Sequence, residues 1–566
     1  MTLAASQLLV LMFLGFLPLT CAWLWPLSRL GVPRDGDGAP RWGTWILVAT
    51  AIGLLIRLAA PHRMMMYYMG YDLVVQAATL DDFGKHGPAA LVLHNLLFTI
   101  TGTSDRAMMM LNSFIGGMLP LAAASLLSNL GASRRAAAIG AAMLAILPVA
   151  IRTSNSESLL IPMTLWLFLG LDQALRYKRT GDPIMLAGAI IHILLAMYAR
   201  AEAALLAPLF CLVLLRFNGT SGAGQKTGSP RKGIEALLLG TAVLLAAIRV
   251  VQFVTAVSMD MTRESFQGVG GSAGMFALDV LIMLTVKNLM LRPSLFPAAV
   301  TLLALLSPLV AGPTGRRRPV ILLVLSAMWL AASLFDPPWV SIPRIQFPGA
   351  ALATMAAAIG ADALLTRLQP AMSQGRFPPT ISGLLLAAII GTSAAATIPG
   401  LWQRAHPDHE AELIRNALPL LPDKQFTLLR REHQDVPFER VPLPFPDYLF
   451  EGRDNPGIVL GLHQVDHLNL RAMPVLFFLG TRCYLRDCTD EPAMHPACQH
   501  ILSNYRLEPL LERHVPVIRT RIPLHDDEDR PDRDNDFSWC IAENPMRIGV
   551  YRIVEALAHD TDSDRK

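Results

Sequence analysis

Apolar stretches long enough to cross a bilayer recur along this chain as far as residue 399, and nothing else constrains its fold so strongly. A helical crossing needs roughly 17–25 predominantly apolar residues. Such stretches stand near 5–27, 43–60, 107–130, 136–151, 157–175, 183–199, 201–217, 233–257, 294–311, 319–335, 347–366 and 379–399, so about twelve spans are expected. The 566 residues are 53% hydrophobic and only 16% charged, and the mean hydropathy is +0.42, which excludes an ordinary soluble domain. Backbone groups inside a bilayer must be satisfied within the segment, so these stretches predict an all-α polytopic bundle.

Basic residues orient the bundle, because Lys and Arg stay on the cytoplasmic side. If the spans alternate, Arg29, Arg34 and Arg41 share a side with Arg134, Arg135, Arg176, Lys178, Arg179, Lys226, Arg231, Lys232, Arg316, Arg317, Arg318, Arg367 and Arg376. That side is then cytoplasmic, and segments 61–106, 258–293 and everything after 400 lie outside, as in a multi-pass inner (cytoplasmic) membrane protein. Residues 1–7 carry no Lys or Arg and no small-residue cleavage pattern closes the first apolar run, so 5–27 reads as a retained anchor with its N-terminus outside. The net charge of +4 is absorbed by this topology and gives no argument for a nucleic-acid partner.

Three regions follow: an N-terminal anchor with a cytoplasmic loop (1–42), a transmembrane domain (43–400) with the outer loop 61–106, and an extracytoplasmic soluble α/β domain (401–566). A Gly/Ser-rich cytoplasmic linker at 218–232 divides the spans into two groups, and the glycosylation triplet at Asn218 within it would face the wrong compartment. In the last region, 410–421 has helical periodicity, while 457–465, 475–479, 515–522 and 547–554 read as strands. The acidic run 525–536 reads as a solvated loop, with cation binding the lesser reading, and the tail from about 558 as disordered. Cys21 and Cys211 fall in spans as small apolar fillers. Cys483, Cys488, Cys498 and Cys540 fall outside, where an even number predicts two disulfides. Zinc with His495 and His500 is the rival, weakened by the lack of a tight C-x-x-C pair.

Residues able to do chemistry concentrate in the outer loop. Tyr71 and Asp72 open an amphipathic helix over 71–80, with Leu73, Gln76, Ala77 and Leu80 on a stripe that would lie flat on the membrane. Asp72 at its start can cap the helix, act in catalysis, or do both. Asp81, Asp82, Lys85, His86 and His94 supply the other polar groups. No nucleotide-binding glycine pattern is present, and no internal repeat of the kind found in many transporters.

Several short runs occur in a telling order: Tyr71-Asp72, Gly87-Pro88, the stretch 93–102 around His94, Leu111-Asn112, the Ser-Asn-Ser-Glu run ending at Glu157, then Tyr198, Arg200, Glu202 and Pro208, and late in the chain Ser341, Pro343, Arg344, Phe347 and Pro348. Over residues 40–400 this resembles the GT-C superfamily of polytopic glycosyltransferases, in the branch of protein O-mannosyltransferases and lipid A aminoarabinose transferases. The resemblance implies transfer of a sugar from a polyprenyl-phosphate-linked donor to a glycan, lipid or protein acceptor on the outer membrane face, with inversion. It maps the family's first-loop aspartate onto Asp72. Members commonly carry Asp-Glu or Glu-x-Asp there and His-Pro-Pro-Leu-Tyr later. This chain has Asp72-Leu73 and His86-Gly87-Pro88, so Asp81 and Asp82 stand in for the second acidic position.

The chemistry assigns roles within that scheme. A carboxylate shielded by Tyr68, Tyr71 and the membrane can take the proton of the incoming hydroxyl, which makes Asp72 the general base. The departing lipid phosphate gains charge in the transition state, so Arg200, Arg344 and Lys85 are the donor-phosphate candidates, with Arg63 and Arg152 behind them. The competing reading is a snorkelling Arg200 paired with Glu202. Tyr71, His94, Glu157 and Glu202 complete the candidates. No cofactor is demanded, a divalent metal ion remaining an option. Other classes stay open: a transporter or lipid flippase with Arg200, Glu202 and Arg344 along its path, or a catalytically silent membrane assembly protein.

Overall fold

A computed structural model describes residues 42–60, 62, 68–80, 87–217, 239–251, 296–332, 343–373, 409–430, 458–470, 472–480, 494–515 and 546–557, with single positions at 388, 391, 449 and 483. For Asp72 and Arg344 only the backbone is described. The chain divides into two compact units, one formed by 1–62 and 76–402, the other by 63–75 and 403–566.

The first unit is helical. Its elements are α1 (Trp42–Ala59), the end of α2 (Tyr68–Thr79), α3 (Pro88–Thr101), α4 (Asp105–Asn129), α5 (Arg134–Ala145), α6 (Pro148–Ser154), α7 (Leu160–Thr180), α8 (Pro183–Ala199), α9 (Ala201–Phe217), α10 (Leu239–Val251), α11 (Ala298–Val310), α12 (Arg317–Ala332) and α13 (Pro343–Ser373). Ser104, Ser133 and Asp182 accept backbone N–H groups at the starts of α4, α5 and α8, and left-handed Gly181 ends α7. Three described helices are long and apolar enough to cross a membrane: α1, α4 and Gln346–Leu368 within α13. The pair α5–α6, bent by 58°, is long and apolar enough as well when its two helices are taken together. The sequence suggests one continuous span at 136–151. The helix breaks after Ala145 because Pro148 has no N–H and begins a new helix at its first position. The chain is a multi-pass membrane protein, with large apolar side chains such as Leu55, Val243 and Leu305 facing outward. The expected span 5–27 lies outside the described residues, as does 379–399 apart from positions 388 and 391.

Small residues let these helices approach closely. A Cβ on Gly117 would stand 3.0 Å from the Cα of Leu54, joining α4 to α1, and one on Gly360 would stand 2.8 Å from the Leu303 carbonyl, joining α13 to α11. The alanine-rich face of α13, including Ala350, Ala351, Ala356 and Ala357, is buried where α5, α11 and α12 pack against it.

The ends of the bundle differ. At one end Arg179 bonds Asn129, Arg135 pairs with Asp362, and Arg318 reaches the turn at Gly131. The C-termini of α1, α6, α8 and α10 and the start of α4 lie at the other, as the helix directions require.

Helix α2 begins at Tyr68, four residues before Asp72. Asp72 is therefore inside the helix, and the expected capping role is corrected. Of the stripe expected to lie on lipid, Leu73 and Ala77 are buried while Gln76 and Leu80 are partly exposed.

The second unit contains a five-stranded sheet in the order β2-β1-β3-β5-β4. Strands β1 (Thr427–Arg430), β2 (Ile458–Gly461) and β3 (Val475–Leu479) are parallel; β5 (Met546–Ala556) pairs antiparallel with β3 and with β4 (Tyr505–Val515). Strand β3 is apolar throughout because both faces are covered. Val475, Phe477 and Leu479 meet the core that includes Ile501 of helix Pro496–Asn504, while Leu476 and Phe478 meet Leu413, Ile414 and Ala417 of helix His409–Ala417. The strand expected at 515–522 has its described portion only at Val515, where β4 ends. Pro509 and alternating charges hide β4 from a periodicity reading.

Cys483 and Cys498 form a disulfide inside the first of these cores; Cys488 and Cys540 lie outside the described residues. His495 accepts the Ala497 N–H at the start of the helix that carries Cys498. Closing a loop of this length restricts the unfolded chain, so Cys483→Ser should lower the stability of this unit by about 2–4 kcal/mol, read as an earlier thermal transition of the purified full chain.

Candidate active site

At the end of the bundle away from the basic turns, polar groups are buried in two linked sets. The first is the corner between α8 and α9. Arg200 closes α8 in an extended conformation (φ −146°, ψ 144°), and Glu202 sits two residues on, in the first turn of α9. Their side chains form a two-pronged ion pair, Nε to Oε2 at 3.1 Å and Nη2 to Oε1 at 2.5 Å, with both residues 8% exposed. Arg249 of α10 joins them: its Nε donates to the Met197 carbonyl at 3.2 Å and its guanidinium lies 5.7 Å from the Tyr198 ring centre, while the Tyr198 hydroxyl donates to the Leu245 carbonyl. Among the described residues this corner holds two guanidiniums and one carboxylate. A guanidinium placed there has the planar fork that can grip an anion with two donors.

The turn that opens α3 rests directly on this corner. Gly87 N–H donates to the Ala199 carbonyl at 3.4 Å, and a Cβ on Gly87 would come within 1.8 Å of the Tyr198 carbonyl oxygen. Only glycine fits, because the neighbour is backbone and cannot rotate away. Gly87→Ala should therefore push α3 off the Tyr198–Arg200 corner and cost about 1–3 kcal/mol, measured by thermal unfolding in lipid nanodiscs. Lys85 and His86, immediately before this glycine, lie outside the described residues, as do Asp81 and Asp82.

The second set lies where α3 crosses α4. His94 is fully buried, its Nδ1 2.6 Å from the Ala90 carbonyl and its Nε2 3.1 Å from Asn112 Oδ1. Asn112 in turn donates to the Ser156 and Ser158 carbonyls, at 2.8 and 3.3 Å. Ser113 donates to the Ser154 carbonyl and Asn155 Oδ1, and Asn155 donates to the carbonyls of Arg57 and Ala60. Glu157 is completely buried in this hairpin between α6 and α7. His62, just past α1, is held below the ordinary imidazole value by burial.

No protein-family model matches the chain, and no curated protein matches it in sequence. Solved structures are similar to it. The archaeal oligosaccharyltransferase AglB from Archaeoglobus fulgidus, in complex with an inhibitory peptide and a dolichol-phosphate, is 13% identical with a TM-score of 0.44, over 68% of this chain and 62% of that one. ArnT from Cupriavidus metallidurans, bound to undecaprenyl phosphate, is 11% identical with a TM-score of 0.47, over 90% and 98%. The arabinofuranosyltransferase AftD from Mycobacteria is 14% identical with a TM-score of 0.46, over 93% and 42%. The match spans less than two thirds of the AglB chain. These are GT-C superfamily membrane glycosyltransferases, the resemblance already read from the sequence. At such identities and TM-scores the chemistry of this chain rests on its own residues.

Of the candidates read from sequence, the structure brings Arg200 and Glu202 together and ties His94 to the hairpin that carries Glu157. Tyr71 is buried in α2, and Asp72 and Arg344 are located by backbone alone, Arg344 in the first turn of α13. That turn lies about 27 Å along the helix from Asp362, at the far end from the basic turns. Arg249 and Arg57 escape a reading of the sequence. Each is a single arginine within an apolar run, and the signal available is the cost of burying such a charge without partners.

Proposed function

We propose that this chain is a membrane glycosyltransferase that moves a sugar from a polyprenyl-phosphate-linked donor to a glycan, lipid or protein acceptor at the outer face, with inversion at the anomeric carbon. The observation that carries the reading is the Arg200–Glu202–Arg249 corner, a buried set of guanidiniums and carboxylate at the bundle end opposite the basic turns. Lipid phosphate is an anion of the kind such guanidiniums would grip, and the AglB and ArnT structures hold a dolichol-phosphate and undecaprenyl phosphate.

In this reading Asp72 removes the proton of the acceptor hydroxyl as its oxygen bonds to the anomeric carbon from the face opposite the phosphate. The bond from that carbon to the phosphate oxygen breaks, and the polyprenyl phosphate leaves with the electron pair. Arg200, with Arg249, Arg344 and Lys85, stabilises the charge developing on that phosphate more than the charge of the intact donor, which is what lowers the barrier. Glu202 fixes the orientation of the Arg200 guanidinium. Asp81 or Asp82 serves as the second acidic group, with a divalent metal ion as an optional partner for them.

The test combines placement and product. Reporter fusions at Gly219 and Asp423 should report opposite sides of the membrane. Mass spectrometry of cell-surface glycans and glycoproteins, with and without the intact gene, should show the loss of one defined sugar. Unchanged glycans together with an altered distribution of lipid between leaflets would replace this reading with a flippase.

A further inference from the structure

Arg57 is completely buried in the last turn of α1, and its contacts are with neutral oxygens from three elements. Its Nη1 donates to the Ala145 carbonyl at 2.8 Å and to the Gly53 carbonyl at 2.9 Å, its Nη2 to the Leu144 carbonyl at 3.2 Å, and its Nε to Ser154 Oγ at 3.1 Å. Leu144 and Ala145 are the last residues of α5, where the broken span leaves carbonyls with no partner further along their own helix. Across the break, Ser154 is the last residue of α6. One guanidinium therefore grips both sides of the bend. The main chain of α1 is held in return, since Asn155 Nδ2 donates to the carbonyls of Arg57 and Ala60.

Two glycines make the space. A Cβ on Gly116 would fall 2.1 Å from Ser154 Oγ and 3.3 Å from Arg57 Nε, and one on Gly53 would fall 3.0 Å from Ala145 Cβ and 3.2 Å from Arg57 Nη1. The linkage thus joins four helices at one point, immediately below the hairpin 155–158 and the residues from which the segment carrying Asp72 departs.

We propose that Arg57 is a positioning residue: it completes the broken span α5–α6 from another helix, and thereby sets the 155–158 hairpin and the root of the 61–106 segment. Its part in transfer rests on the glycosyltransferase reading; the pinning itself does not. Ammonium at this position has donors but lacks the planar fork that reaches carbonyls and hydroxyl together, so lysine should restore part of the function and methionine none.

The experiment places a cysteine probe at buried Ser156 (Ser156→Cys) in the full chain in nanodiscs and follows its alkylation by peptide-resolved mass spectrometry. With Arg57→Met the probe should react roughly tenfold faster or more, as expected when one local unit opens while the rest of the fold persists. Arg57→Lys should fall between, and Ser154→Ala, which removes only one acceptor, should give a smaller acceleration. Equal rates for wild type and Arg57→Met would overturn the pinning. If Arg57→Met does not fold, Ser154→Ala and Gly116→Ala carry the test, and no acceleration in either overturns it. In a transfer assay Arg57→Met should lower kcat by about 10²-fold with donor KM little changed, as for a misplaced group far from the ligand. A changed donor KM at unchanged kcat would overturn the positioning role. A wild-type chain without any transfer would sink the glycosyltransferase reading alone, and the alkylation rates would still decide Arg57.

Discussion

Asp72→Asn should abolish most transfer while leaving the fold intact, with a fall of about 10²–10⁴-fold in kcat, the usual worth of a positioned general base. The substitution keeps size and polarity and removes only the capacity to hold a proton. The start of α2 at Tyr68 sharpens the test: a carboxylate at a helix start could be exchanged for Asn with little loss, but Asp72 lies beyond the first turn, where capping is not its work. Purified, well-folded Asp72→Asn with wild-type turnover would take Asp72 out of the mechanism and turn attention to Asp81, Asp82 and Glu157. A pH–rate profile adds a second check. The acidic limb present in the wild type should be missing from the residual activity of the variant.

The buried pair at the α8–α9 corner should respond strongly and asymmetrically. Glu202→Ala leaves the Arg200 guanidinium buried beside that of Arg249 without its carboxylate, and should cost about 3–5 kcal/mol in thermal or denaturant unfolding. Arg200→Met with Glu202→Leu together removes both charges and replaces them with apolar volume, and should recover most of that loss. Transfer separates structure from function. If Arg200 stabilises the departing phosphate, the stable double variant should remain down by about 10²–10³-fold, as when one charge-stabilising donor is removed. Recovery of turnover along with stability would reduce the pair to a structural contact and leave Arg344 and Lys85 as the donor-phosphate candidates.

Both experiments concern residues that the sequence itself singles out. Asp72, Arg200 and Glu202 stand out because ionisable groups next to apolar spans are costly, and a costly residue draws the eye to its position. Their arrangement is less legible. Along the chain, pairing with Glu202 is merely the competing role for Arg200, whereas in the fold the two side chains form a buried ion pair. How far that pair serves the donor is what the double variant measures.

What the sequence by itself determined was local: where apolar runs reach bilayer length, as in α1, α4 and α13, and where five apolar residues at 475–479 make a strand; the break at Pro148, inside a run read as one span, appears only in the fold. The apolar runs and the strand each follow from propensity and burial along one stretch of chain. Only the tertiary structure decided which distant groups meet. Arg57 bonds carbonyls nearly ninety positions away, His94 reaches Asn112 and through it the hairpin at 156–158, Arg249 closes on Tyr198, and Cys483 bonds Cys498. Gly87 and Gly116 look like any other glycines until the backbone of Tyr198 and the hydroxyl of Ser154 stand where a side chain would be. The physical reason is common to all of them: a buried polar group must find its partner somewhere, but the need is written at one position and the partner is chosen only when the helices pack.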